Sequence, residues 1–371
     1  MNEAMTVKYS LMKRFFIFIF FFLLTLSFSL KVKSDNLQNT THAYKGIVKE
    51  ILLDNEITLR EGEKQRQQLL KVKLSDDREI EALNTIPLGL SYQVLLKKGD
   101  KILVSEEDGL FNIEGYNRES ISWILLFLFT ALLVGIGGKK GALAFISLII
   151  KISILLFILI PSIKAGYSPL LTTSLFCAIA TCLTIAMVSG LNYKTLAACI
   201  GTIGGVLAAG LIGYWAVNAS HMSGLLEPEM ESLFYQFPKI KLTELISAGV
   251  LIGALGAAMD VAISIASALQ EIKLAAPEMA FKELYKSGMN IGRDVMGTMI
   301  NTLILAYAGS SLPTIILITQ IDTAYLFNME LFIKELILSA VGSIGLILTI
   351  PITSLLAAYL MSKMNDKKKS I

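Results

Sequence analysis

The feature that most constrains this chain is a succession of long apolar segments that begins at Ser120 and runs almost to the C-terminus. Each is roughly 20 residues long, enough to cross ~30 Å of hydrocarbon at ~1.5 Å per helical residue. The segments fall at 120–137, 142–163, 169–190, 195–218, 243–269, 293–318 and 332–361. Pro351 is expected to kink the last of them. In a bilayer every backbone N–H and C=O must be paired within the protein, so runs of this length fold as helices. The expected class is therefore a membrane protein: an α-helical bundle of about seven transmembrane helices, an N-terminal signal or anchor segment and a small β-rich extracytoplasmic domain.

Composition agrees. Charged residues make up 17% of the 371 positions, against about 25% in soluble domains, and they crowd into residues 31–119. Lys13-Arg14 precede the apolar run Phe15–Leu30, the pattern of a signal peptide or signal anchor. Residues 1–30 are read as that segment, 31–119 as the β-rich domain, 120–361 as the membrane domain and 362–371 as a basic tail. Between Tyr44 and Tyr116 the runs Gly46–Val48, Leu69–Leu74, Tyr92–Leu96 and Lys101–Val104 have strand character, with turns at Ser75–Asp77, Lys98–Asp100 and Glu107–Gly109. They predict a small barrel or sandwich, OB-like in layout.

Basic residues set the expected orientation. One set of loops carries Lys139, Lys140, Lys194, Lys273, Lys282, Lys286 and the tail lysines 363 and 367–369. The alternate set carries Lys164, Lys239, Lys241 and Lys334. The richer set belongs in the cytoplasm of a plasma-membrane protein, which puts the β-rich domain outside and the C-terminus inside.

The net charge of +3 gives no argument for nucleic acid as a partner. Two histidines, His42 and His221, and three scattered cysteines, Cys177, Cys182 and Cys199, offer no metal-site spacing. No metal or cofactor is expected, and the cysteines read as small buried side chains.

The chemistry-bearing residues lie in two apolar segments. Gly249, Gly253, Gly256, Asp260, Ser264 and Ser267 recur every three or four residues, so they share a helix face. The glycines, with Gly297, would let a second helix approach closely. In the next segment Asn290, Asp294, Gly297 and Asn301 share a face too. Antiparallel packing would set Asp260 against Asn301, Ser264 against Gly297 and Ser267 against Asp294. Lys151, at similar depth, is a candidate counter-charge. One charge at mid-bilayer costs about 2.5–3.5 kcal/mol on insertion scales, so an intramembrane Asp or Lys is a candidate for an ion or substrate path.

The stretches GALGAAMDVAISIASALQEI (253–272) and SGMNIGRDVMGTMINTLILAYAG (287–309) closely resemble the signature of the YibE/F family of bacterial membrane proteins. The resemblance extends over about Tyr44–Leu360, including Gly99-Asp100 and the GYSP turn at Gly166–Pro169. It implies an extracytoplasmic N-terminal region and a multi-span body, and it implies no catalytic residue. Two classes of function follow. One is a permease for an ion or small solute, without a P-loop. The other is a non-enzymatic assembly component whose β domain binds a membrane or extracytoplasmic protein. Asp260 and Asp294 lie over two helical turns apart in the expected packing, too far to share a proton, so no enzyme activity is expected.

Overall fold

The computed structural model describes residues 42–58, 64–87, 95–107, 109–190, 192–319 and 321–362. The N-terminal signal or anchor segment and the tail lysines lie outside the described residues. The chain divides into two compact units, up to Leu128 and from Phe129 on.

Among the described residues the first unit holds five strands: β1 (His42–Thr58), β2 (Lys64–Leu74), β3 (Glu79–Pro87), β4 (Lys101–Glu107) and β5 (Leu110–Tyr116). They close into a barrel in the order β1-β2-β3-β5-β4. β1 pairs antiparallel with both β2 and β4, and β3 meets β5 in parallel. This is the OB layout expected from the sequence. Strand alternation builds it: Leu70, Val72 and Leu74 point inward while Lys71 and Lys73 point out. Gly46 is required where β1 crosses Val72, because a Cβ there would lie 2.5 Å from that side chain.

Two strands, β3 and β5, were not anticipated; of the run expected as a strand at Tyr92–Leu96, Leu95 and Leu96 are irregular and 92–94 lie outside the described residues. The inward positions of β3 explain its weak signal, since two of the three are Ala82 and Asn84. Asn84 is tolerated in the interior because its amide donates to Gln68 Oε1 at 3.0 Å. Gln68 in turn accepts from Leu96 N–H and donates to Asp54. A buried amide pair satisfied in this way costs little, whereas either partner alone would be left unpaired.

The barrel surface carries paired carboxylates. Arg66, and secondarily Gln68, hold Asp54 below its ordinary pKa. Arg78 does the same for Asp76, and Lys71 for Glu79. A carboxyl with a depressed folded pKa adds stability above its unfolded pKa of about 4 and loses that contribution as pH falls through the folded value. The barrel's calorimetric unfolding transition in the full-length protein is therefore expected to shift down as pH drops below about 4. An acid-insensitive transition would show that these pairs do not stabilise the fold.

The second unit is helical and contains most of α1 (Glu119–Ile154), which continues through a π-helical turn, Leu155–Leu159, into α2 (Ile160–Lys164). Then come α3 (Pro169–Ser189), α4 (Tyr193–Ala219), α5 (Pro228–Gln236), α6 (Leu242–Ala275), α7 (Phe281–Ser310), α8 (Leu312–Ile318), α9 (Thr323–Leu326) and α10 (Glu330–Ser362). Among the described residues five helical stretches are long and apolar enough to cross a membrane: Glu119–Lys164, Pro169–Ser189, Tyr193–Ala219, Leu242–Ala275 and Glu330–Ser362. The first is broken at Gly138, whose φ of 54° no side-chain-bearing residue adopts readily. Just beyond it, a Cβ on Gly141 would sit 2.1 Å from the Leu133 carbonyl oxygen, so glycine there permits a tight reversal.

The expected segment 293–318 is corrected. Its helix starts a dozen residues earlier, at Phe281, and breaks at Ser311 before α8. The amphipathic stretch before residue 293 is thus helical. α7 is also less apolar than the five stretches above. The expected segment 332–361 is one helix, α10, running on through Pro351.

The core lies where α6 and α10 meet α4 and α7. Close approach of α4 to α10 depends on Gly201 and Gly205, which face Thr353 and Thr349. α7 docks through Gly288 and Gly292 onto Ser354, Ile350, Leu269 and Ile265. Both pairs are Gly-x3-Gly, the spacing that puts two small residues on one face.

Candidate functional site

α6 is packed by α3, α4, α7 and α10, which leaves one strip of it open: Ile252, Gly256, Asp260 and Ser264 are exposed. Asp260 is near the middle of α6, about 22 Å along the axis from Ala275 at ~1.5 Å per residue. Lys151 of α1 lies within range of a direct charge–charge interaction with Asp260, without forming a tight ion pair. Lys151 is half-buried, and it is about 20 Å from the Gly138 reversal by the same measure. Lys151 and Asp260 thus carry opposite charges on separate helices, within reach of each other's field.

α6 and α7 pack antiparallel, but shifted from the expected register. Gly253 meets Tyr307, Ile265 meets Gly292 and Leu269 meets Gly288. These contacts put Asp260 level with residues about 297–300, one to four residues from Asn301. The rotation of α7 differs from expectation. Its Gly288–Gly292 face turns inward, and Leu284 and Leu303 are buried with it. Asn290, Asp294, Gly297 and Asn301 are exposed on the outer face. Asp260 is not hydrogen-bonded to Asn301, and Ser264 is not packed on Gly297, beside which a Cβ would have open space. Ser267 is half-buried and lies beside Ser189, Lys194 and Thr195 rather than meeting Asp294. Of the glycines expected to pack, Gly253 meets Tyr307 and Gly249 touches Leu338, whereas Gly256 and Gly297 have no neighbour.

Most buried polar groups of the helical unit are hydroxyls, Thr181, Thr202, Thr349, Thr353 and Ser354 among them, and the buried charges Glu244 and Lys273 lie near the two ends of α6. Two of these donate to the carbonyl one turn back, Thr181 to Cys177 at 2.7 Å and Thr349 to Gly345 at 2.9 Å, whereas the hydroxyls of Thr202, Thr353 and Ser354 are buried without a hydrogen-bond partner. Sequence reading passed over these positions and over Gly201 and Gly205. The Gly-x3-Gly spacing was the signal that could have found the latter. Cys177 and Cys199 are buried as expected, but Cys182 is exposed.

The loops gather into two ends. At one, Ser168 caps α3 and donates to the buried Glu244 carboxylate, which also accepts from Lys241 at 2.9 Å. Lys164 lies 4.9 Å over the Phe237 ring, and Lys334 pairs with Glu227 at 2.6 Å. At the other, Lys273 Nζ donates to the Pro277 and Met279 carbonyls and fixes the α6–α7 turn. Glu244→Ala would leave Ser168 and Lys241 without their acceptor. It is expected to destabilise the protein by about 1–3 kcal/mol, read as a lower thermal midpoint in detergent, with Glu244→Gln closer to wild type.

No curated protein and no solved structure matches this chain. A family model described as YibE/F-like protein matches residues 125–363. The match covers α1 almost from its start to the end of α10 and leaves the barrel outside. It spans well over half of the chain and takes in the Asp260 strip, Lys151 and all of α7, so the chain belongs to the YibE/F-like protein family.

Proposed function

We propose that this protein is a permease-type integral membrane protein that moves an ion or a small solute, with Asp260 and Lys151 as the polar step of its path. The observation that carries the reading is the Asp260 carboxylate exposed on the open strip of α6, with Lys151 of α1 close enough for charge–charge attraction. Charged residues near the middle of a span are rarely tolerated away from a path or a water-filled cavity. In this reading both arms of α1, together with α3, α4, α6, α7 and α10, make seven spans. The turn at Lys139-Lys140, the start of α4 and the α6–α7 turn then share the cytoplasmic side of the plasma membrane, by the excess of lysine there. The barrel lies outside and the C-terminus inside. The protein acts without catalysis and without a nucleotide site of its own.

The test is flux of protons and alkali cations into proteoliposomes holding the full-length protein. Wild type is expected to carry one of them, and Asp260→Asn to lose the activity at normal expression. Unchanged flux in the variant would remove Asp260 from the mechanism.

A second reading gives the barrel a partner protein outside the membrane. Its support is an apolar run on the outer surface of β1, where Ile51, Leu52, Leu53 and Ile57 are exposed. Deleting residues 44–116 would then abolish capture of the partner by crosslinking. Equal recovery with and without those residues would rule the barrel out.

A further inference from the structure

We propose that two copies of this chain pack against each other along the outer face of α7, about a two-fold axis normal to the membrane. The inner face of α7 is already spent on α6 and α10 through Leu284, Gly288, Gly292 and Leu303. The outer face presents Asn290, Arg293, Asp294, Gly297, Thr298 and Asn301, all exposed. Asp294 is about 20 Å along α7 from Phe281. Lipid is a poor neighbour for such a face, since each charge near mid-bilayer costs about 2.5–3.5 kcal/mol.

Three observations select a second copy as the occupant. First, Asn290, Asp294, Gly297 and Asn301 are spaced by four, three and four residues, the repeat of a seam between two helices running side by side. Second, the face is self-complementary. A two-fold axis brings each residue to its partner's equivalents at the same depth. Arg293 flanks Asp294 on the same surface, and neither is ion-paired within the chain among the described residues, so each Arg293 would pair with the other copy's Asp294 and neutralise the two carboxylates that the axis brings together. Asn290 and Asn301 would meet themselves, and an amide both donates and accepts. Third, Gly297 stands at the centre of the seam with open space where a Cβ would be, which lets two backbones close. The apolar run Phe15–Leu30 would offer these charges no partner, which argues against the chain's own N-terminal segment as the cover.

The interface does not depend on the transport reading, because crosslinking reports assembly and flux reports transport. The test uses the full-length protein in native membranes with Cys177, Cys182 and Cys199 replaced by alanine. Single cysteines are placed at Gly297 and Asn301 and, as controls, at the exposed Leu171 and Leu211. Oxidation is expected to yield covalent dimer at Gly297→Cys and Asn301→Cys at least tenfold above the controls. Arg293→Asp or Asp294→Arg alone should lower that yield at least tenfold, and the double exchange should restore it. Equal yields at seam and control positions, or a double exchange no better than the single variants, would overturn the interface. A photo-crosslinking residue at Asn301 must give an adduct of twice the chain mass. An adduct within one chain, or with a different protein, would overturn it as well.

Discussion

Replacing Gly205 by alanine is expected to destabilise the contact of α4 with α10 more than replacing Gly201 does. The added Cβ would lie 1.9 Å from Thr349 Oγ1 and 2.6 Å from the Gly345 carbonyl oxygen. The hydroxyl could rotate away, but only by giving up its bond to Gly345. The carbonyl belongs to the α10 backbone, so α4 and α10 must separate. Overpacking typically costs about 1–3 kcal/mol, and a clash with backbone belongs at the upper end. Gly201→Ala meets Thr353 Oγ1 at 1.9 Å and its Cα at 3.0 Å, and should add to the loss. The thermal midpoint in detergent is expected to fall by several degrees for Gly205→Ala, with lower monodisperse yield. Gly256→Ala, with nothing within 4 Å, is the control and should stay near wild type. Equal effects at 205 and 256 would mean that α4 and α10 do not meet as described.

Charge removal at the Asp260–Lys151 pair should separate stability from transport. Asp260→Asn leaves Lys151 alone at mid-bilayer depth, and Lys151→Met leaves Asp260 alone. Each lone charge then faces an insertion cost of about 2.5–3.5 kcal/mol. The double variant carries neither charge, so it is expected to fold better than both single variants, as coupled neighbours do. Flux is expected to behave otherwise. Asp260→Asn should lower it by at least tenfold, equivalent to about 1.4 kcal/mol, and the double variant should not recover it. A double variant that regains both yield and flux would reduce the pair to a structural role.

How far the sequence carried the site can be seen at α7. Its antiparallel packing against α6 followed from the matching spacings of Asp260, Ser264 and Asn301, but the observed contacts Gly253–Tyr307 and Ile265–Gly292 shift the register by one to four residues. The rotation did not follow. Periodicity tells which residues share a face, but not which of two faces turns inward. α7 offers two such faces, one with Asn290, Asp294 and Asn301 and one with Gly288 and Gly292. Close packing chose the second, because glycine lets α10 approach until Ile350 and Ser354 make contact, and the polar face was left outward. The barrel shows the same limit. β1, β2 and β4 announce themselves by short apolar runs, Gly46–Val48, Leu69–Leu74 and Lys101–Val104, set off by turn signals. β3 hides its inward face behind Ala82 and Asn84, and the bond that makes Asn84 acceptable comes from Gln68 on another strand.

The most direct test of the central claim is water access to the open strip of α6. In the full-length protein with its three cysteines replaced, Ser264→Cys would be treated with a membrane-impermeant thiol reagent from each side of sealed vesicles. The predicted result is labelling from the cytoplasmic face, slowed by the permeant ion, with Leu251→Cys in the packed core unreactive. No labelling of Ser264→Cys from either side, while a cysteine at Lys140 reacts freely, would contradict a solute path along Asp260 and Lys151.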